Sequence, residues 1–261
     1  MSRFNAVVFD WAGTMIDFGS FAPMGAFVET FAKFGVTVTI ADARKPMGLP
    51  KRSHIAAMLA QPHIVEAWRS AQGAVPDEAA IDKVYALFVP LNEEVVGNYC
   101  ALIPGALEAV NHIRARGMKI GSTTGYTRSI MERVLPLAAA QGYEPDNLVC
   151  ADDLGLGRPA PIGMYKCFVD LLVHPAGSVI KVDDTEPGIA EGVAAGCITV
   201  GLTLSGNEAG LTLQELAALS VAQRQALHER VATKLLAAGA DHVIGTVAEL
   251  PALIDRLADD R

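Results

Sequence analysis

Ala6-Val7-Val8-Phe9-Asp10-Trp11-Ala12-Gly13-Thr14 is the stretch on which the reading of the fold turns. Its first four residues are an unbroken apolar run. A run this short reads as a strand covered on both faces, the setting of a parallel sheet. Asp10 stops the run and opens a loop at the strand's carboxyl end. In open parallel sheets ligands bind just beyond such ends. An Asp after a strand is usually a turn former or helix cap, so the case for chemistry at Asp10 depends on what else reaches the same edge.

The pattern around that stretch is α/β. From residue 106 onward helical and strand-like segments alternate. Strands are predicted at 119–122, 148–150, 179–182, 198–201 and 242–244, and helices at 106–116, 128–141, 161–172, 187–195, 220–238 and 247–257. Alternation of this kind builds a doubly wound parallel sheet. Residues 21–99 break it, with helical spacing at 22–34, 52–59 and 81–96 and no buried strand. The expected organisation is an α/β core domain from residues 1–20 and 100–261, interrupted by a helical cap at 21–99.

Composition narrows the function classes. The 261 residues carry 21 basic and 29 acidic side chains, a net charge of −8, with no basic run. Nucleic acid and anionic membrane surfaces are therefore excluded as expected partners. Cys100, Cys150, Cys167 and Cys197 lie in no metal-binding or redox spacing. Scattered single cysteines fit a reducing cytoplasm, and no apolar stretch reaches the length of a membrane span.

Three segments bring polar groups to one sheet edge: Asp10, Thr124 with Gly125, and Asp183-Asp184. A phosphoryl group is anionic, and a carboxylate nucleophile would repel it. A magnesium ion between them removes that repulsion, and its ligands are hard carboxylate oxygens. Thr124, the Gly125 amide and the Arg158 guanidinium are suitable phosphate donors.

These residues match a family. Val7-Val8-Phe9-Asp10, Ile120-Gly121-Ser122-Thr123-Thr124-Gly125, Gly157-Arg158-Pro159-Ala160-Pro161 and Val182-Asp183-Asp184-Thr185-Glu186-Pro187-Gly188 resemble, in order, the four motifs of the haloacid dehalogenase superfamily. The resemblance implies phosphoryl transfer through an aspartyl intermediate at Asp10. It also implies one Mg2+ per subunit, held by Asp10, the Ala12 carbonyl and Asp184. Some relatives carry a further Asp where this chain has Gly188; Asp183 is the candidate substitute.

Phosphatases of that superfamily carry an acid two residues after the nucleophile, and this chain has Ala12 there. Ala12 cannot protonate a leaving oxygen. Together with Arg44-Lys45-Pro46-Met47-Gly48-Leu49-Pro50-Lys51 and Gly121 to Thr127, the first motif resembles the phosphonatase family. That implies hydrolysis of phosphonoacetaldehyde to acetaldehyde and phosphate. A carbanion is a poor leaving group, but an iminium on Lys51 can accept the electrons of the breaking bond. Lys51 must then be partly neutral, so burial or a nearby cation should depress its pKa. Arg44, Lys45 and Arg52 are its cationic neighbours in sequence.

His54 lies one helical turn after Lys51; it is either a proton shuttle or a buried structural histidine. Met47 matches a family position near the lysine but is equally a core filler. Tyr126 either borders the pocket or packs. The resemblance further implies a homodimer and a small phosphonate as the partner in solution. Two rival readings stand: a phosphate-ester phosphatase or sugar phosphomutase of the same superfamily, which leaves Lys51 idle, and a phosphate-sensing protein without activity, for which Asp10, Thr124, Arg158 and Asp184 would be needlessly complete.

Overall fold

A computed structural model describes residues 3–259. The chain begins with β1 (Ala6–Phe9) and then runs through five helices: α1 (Ala22–Lys33), α2 (Ile40–Arg44), α3 (Lys51–Leu59), α4 (Pro62–Gln72) and α5 (Glu78–Val95). It returns through α6 (Ala106–Ala115), β2 (Lys119–Ser122), α7 (Arg128–Ala139), α8 (Ile162–Leu171), β3 (Val179–Asp183), α9 (Glu186–Ala195) and β4 (Ile198–Leu202). The end is α10 (Leu213–Ala218), α11 (Val221–Ala237), β5 (His242–Ile244) and α12 (Leu250–Asp259).

The five strands form one parallel sheet in the order β2-β1-β3-β4-β5. Every residue of β1 is buried, because the pleat sends alternate side chains into two helical layers. Val7 and Phe9 join the cluster that contains Ile113, Ile130 and Leu253 from α6, α7 and α12. Ala6 and Val8 join Met164, Cys167 and Leu171 of α8. Burial on both faces is what the unbroken apolar run required.

The strand order reverses between β1 and β3, and such a switch point opens a crevice at the carboxyl edge. Phe9 is level with Ser122 on one side and Val182 on the other. Asp10, Thr123 and Asp183 therefore emerge side by side.

Helices α1–α5 hold a separate apolar cluster around Phe27, Phe31, Ile55, Trp68 and Phe88, with the Phe27 and Phe88 rings stacked at 4.1 Å. Asp17 fixes the entry to this bundle: its carboxylate accepts the amides of Phe21 and Ala22 at 2.9 and 2.8 Å, satisfying donors at the start of α1.

Residues 148–150 do not form a sheet strand. Only Val149 makes a bridge, to Thr123, because the chain turns at Ala151 toward the loop that carries Arg158. Helices α2, α4 and α10 were not expected. Helix α5 starts three residues early, where Asp77 accepts the Ala80 amide at 2.8 Å. Among the described residues no helix is long and apolar enough to cross a membrane.

Candidate active site

Eight of the sequence-predicted site residues line one cleft: Asp10, Ala12, Met47, Lys51, Thr124, Gly125, Tyr126 and Arg158. Six come from the sheet's carboxyl edge and the loop carrying Arg158. Met47 and Lys51 come from the helical insert, whose α2–α3 turn closes over that edge. Ser20, Gly48, Leu49 and Thr185 complete the wall.

Close glycine contacts explain how the turn fits. A Cβ on Gly48 would lie 2.4 Å from Thr185 Oγ1, one on Gly125 would lie 2.9 Å from the Leu49 carbonyl, and one on Gly157 would lie 2.5 Å from Pro50 Cγ. Gly48 also has a positive φ of 91°. Only glycine permits these approaches.

Asp10 is 6% exposed, and its Oδ1 is 2.9 Å from Nη1 of Arg158. The other donors of Arg158 are committed elsewhere. Nη2 bonds the carbonyl and hydroxyl of Thr123 at 2.7 and 2.8 Å, and Nε bonds Glu191 at 3.1 Å. The guanidinium thus reaches Asp10 through one fixed nitrogen. Burial opposes its charge, but Asp183, Asp10 and Glu191 hold its pKa above the ordinary value.

Behind this lies Lys181, fully buried in β3. Its ammonium meets Asp183 at 3.0 Å, Glu191 at 3.4 Å and the Thr123 hydroxyl at 2.8 Å. A buried ammonium left alone is penalised by several kcal/mol, so this set of partners is what allows a lysine in the sheet's interior. Neither Lys181 nor Glu191 was expected from sequence. The available signal was a lone cation inside the apolar run of β3.

Asp10, Asp183 and Asp184 present oxygens all within 4.8 Å of one another. Their charges compete. Burial, then Asp183, pushes Asp10 up to about 6. Burial, then Asp10 and Asp183, pushes Asp184 well above the usual carboxylate range. Burial also opposes ionisation of Asp183, but Lys181 and Arg158 hold it low. Asp10 and Asp184 are therefore the two without sufficient counter-charge. A hard divalent cation that takes oxygen ligands fits this donor set. Asp184 is held by the Thr14 hydroxyl at 3.2 Å and the Asn207 amide at 2.7 Å. A Cβ on Gly13 or Gly206 would fall 2.5 Å from its Oδ2, so its carboxylate sits in a glycine cradle.

The presence of Gly188 has a steric reason. An added Cβ there would be 2.0 Å from Asp183 Cγ, and the Asp183 carboxylate is pinned by Thr185 at 2.7 Å and by Lys181. Gly188→Ala is expected to lower unfolding free energy by about 1–3 kcal/mol through overpacking. Gly25→Ala, in α1 with open space around it, should be neutral or stabilise by up to about 1 kcal/mol. Urea unfolding of the two variants measures the contrast.

Lys51 is 3% exposed at the first position of α3. Its ammonium lies over the Tyr126 ring at 4.8 Å and the Phe27 ring at 5.8 Å. Burial lowers its pKa to about 8, with Arg158 adding to the effect and Asp10 and Asp17 opposing it. The expected neighbours contribute differently: Arg52 points outward to Glu78 and Asp82, and Lys45 bonds Asp42 and Gln61. The depressing cation is Arg158, distant in sequence.

His54 does not line the cleft. It is fully buried in the bundle, stacked on Phe27 at 4.2 Å, with Nε2 donating to the Ala43 carbonyl at 2.8 Å. That bond puts its proton on Nε2. Burial, then Lys51, keeps the ring neutral, and Nδ1 has no hydrogen-bond partner. The Tyr126 hydroxyl is likewise buried without a partner.

A family model described as haloacid dehalogenase-like hydrolase matches residues 4–196. Phosphonoacetaldehyde hydrolases of Paraburkholderia xenovorans (strain LB400) and Paraburkholderia phytofirmans are each 48% identical over 250 residues, covering 96% of this chain and 94% of theirs. The crystal structure of a phosphonoacetaldehyde hydrolase-like protein from Oleispira antarctica matches with a TM-score of 0.96 and 42% identity. It covers 99% of this chain and 95% of that one.

Proposed function

The chain belongs to the haloacid dehalogenase-like hydrolases, and from that premise we propose that it hydrolyses the carbon–phosphorus bond of phosphonoacetaldehyde to acetaldehyde and phosphate. One observation carries the reading: the buried Lys51 amine and the buried Asp10 carboxylate face one cleft, with Ala12 where an oxygen-directed acid would stand.

The steps follow from the groups present. Neutral Lys51 adds to the aldehyde carbon, and loss of water leaves an iminium. Asp10 attacks phosphorus while Arg158, Thr124 and the Gly125 amide hold the phosphoryl oxygens. The carbon–phosphorus bonding pair moves into the iminium, giving an enamine on Lys51 and an aspartyl phosphate on Asp10. Protonation at carbon and hydrolysis release acetaldehyde and restore Lys51. A second water cleaves the aspartyl phosphate, so one water is consumed overall. Asp10, the Ala12 carbonyl and Asp184 would hold an Mg2+ ion, which would supply positive charge against the phosphoryl oxygens. The Tyr126 ring and Met47 border the aldehyde, while His54 stays buried in the bundle outside the cleft. Residues 21–99 act as the cap that excludes water from the iminium.

Turnover is tested by incubating the protein with phosphonoacetaldehyde and Mg2+ and measuring acetaldehyde and phosphate together. Equal release of both supports the reading. Inactivity on this compound with hydrolysis of a sugar phosphate instead would favour a phosphate-ester enzyme.

The pH dependence follows from Lys51. Only the neutral amine is nucleophilic, so the rate should fall as pH drops below about 8, tenfold per unit. At pH 7 about one-tenth of Lys51 is neutral, some 300-fold more than at an ordinary lysine pKa. A kcat/KM profile should show this acid limb breaking near pH 8. A flat profile between pH 7 and 9 would contradict it.

A further inference from the structure

Arg44 ends α2 in the helical insert but spends its guanidinium on the sheet domain. Nη1 donates to the Gly19 carbonyl at 2.8 Å and to the carbonyl and side-chain oxygen of Asn207 at 3.0 and 3.1 Å. Its Cζ lies over the Phe21 ring at 4.9 Å. Asn207 answers from the other side: its Nδ2 donates to the Arg44 carbonyl at 3.1 Å. That carbonyl also accepts the Met47 amide at 3.1 Å, and so begins the turn that leads to Gly48 and Lys51.

Asn207 is 3% exposed, and both ends of its amide side chain are committed to Arg44. Its backbone amide meanwhile donates to Asp184 at 2.7 Å. The loop has little freedom to do otherwise. Gly206 lies against Asp184 too closely for a Cβ, Ser205 Oγ donates to the Gly13 carbonyl at 2.8 Å, and the Ser205 carbonyl accepts the Gly19 amide at 2.7 Å. One short loop thus touches the entry to the helical bundle, the nucleophile loop and Asp184.

We propose that Arg44 and Asn207 form a clasp that couples seating of the α1–α5 bundle on the sheet domain to the orientation of Asp184. Asn207 is a positioning residue: it presents its amide to Asp184 while its side chain is held by Arg44. The clasp rests on the reading of Asp184 as a metal ligand. It implies linkage in both directions, because two events that stabilise the same closed arrangement favour one another by the same factor. Metal binding should tighten the α2–α3 turn, and a seated turn should tighten metal binding. Residues that aim a metal ligand typically change affinity by about 10–100-fold when lost.

The test uses Mn2+ as the probe, without substrate. Free Mn2+ is measured by electron paramagnetic resonance for the wild type, Arg44→Ala, Asn207→Ala and the double variant. Amide hydrogen exchange of residues 44–51 is followed with and without the metal. Each single variant should bind Mn2+ about tenfold more weakly, the double variant no more weakly than either, and Arg44→Lys should recover part of the loss. In the wild type the metal should slow exchange across the turn, and in the single variants it should not. A residue that only stabilises the fold would lower thermal stability without abolishing that metal-dependent protection. Unchanged Mn2+ affinity in Arg44→Ala, or additive losses in the double variant, would overturn the clasp while leaving the metal site standing. Failure of the wild type to bind Mn2+ would overturn the metal reading and the clasp with it.

Discussion

Asp10→Asn is expected to lower phosphate release by at least about 10^4-fold, the scale on which loss of an essential nucleophile registers. Asn keeps the volume and removes the attacking charge. The fold should survive. Asp10 lies beside Asp183 and is buried, so in the metal-free protein its pKa rises to about 6 from 3.8. A folded-state pKa above the unfolded one means stability is lost as pH climbs between those values. That loss is complete by pH 7 and is on the order of a few kcal/mol. Asn has no charge to be repelled, and Arg158 keeps Asp183 and Glu191. The metal-free variant should therefore unfold at no lower temperature than wild type at pH 7, while phosphate release is lost. A large fall in thermal stability would instead mark Asp10 as structural.

Lys51→Arg should remove turnover by about 10^3–10^4-fold, or about 4–5 kcal/mol of barrier. Arginine keeps the positive charge over the Tyr126 ring but stays protonated and cannot form an iminium. The variant therefore separates charge from nucleophilicity. If Lys51 served only to attract an anionic substrate, arginine would retain most of the activity and change KM at most. Steady-state kinetics on the purified variant distinguish the two, with a loss in kcat expected. The variant should also lose the acid limb near pH 8 in whatever activity remains.

The parallel sheet was readable because burial on both faces leaves a clear mark: β1 is an unbroken apolar run, β3 and β4 are largely apolar, and each ends near a polar group. The segment at 148–150 carries the same mark and is not a strand. Its apolar side chains pack while its backbone turns away after one bridge, and periodicity cannot separate those cases. Helix α4 had usable signals, with Pro62 at its start and Gly73 in the left-handed conformation at its end. Helix α2 is held by a reciprocal cap between Thr39 and Asp42 and is too short for a periodic pattern.

The grouping of Asp10, Thr124 and Asp184 was legible because each follows a strand end, while Arg158 joins them from a loop. The site was not legible where position depends on partners far along the chain. Arg158 aims at Asp10 because Glu191 and Thr123 take its other donors. Lys51 is perturbed by burial and by Arg158 rather than by its sequence neighbours. Asn207 reaches Asp184 from beyond β4, across 23 residues. Nothing in a single sequence reports such contacts.

The central claim is that Asp10 takes its phosphoryl group from a carbon held as an iminium on Lys51. Borohydride reduction of the Asp10→Asn variant in the presence of phosphonoacetaldehyde, followed by peptide mass spectrometry, tests it directly. The iminium should form and then stall, leaving Lys51 with an intact phosphonoethyl group. Wild type treated alike should carry an ethyl group on the same residue, because the carbon–phosphorus bond has broken. An active wild type with no adduct on Lys51, or with the adduct on another lysine, would contradict the claim.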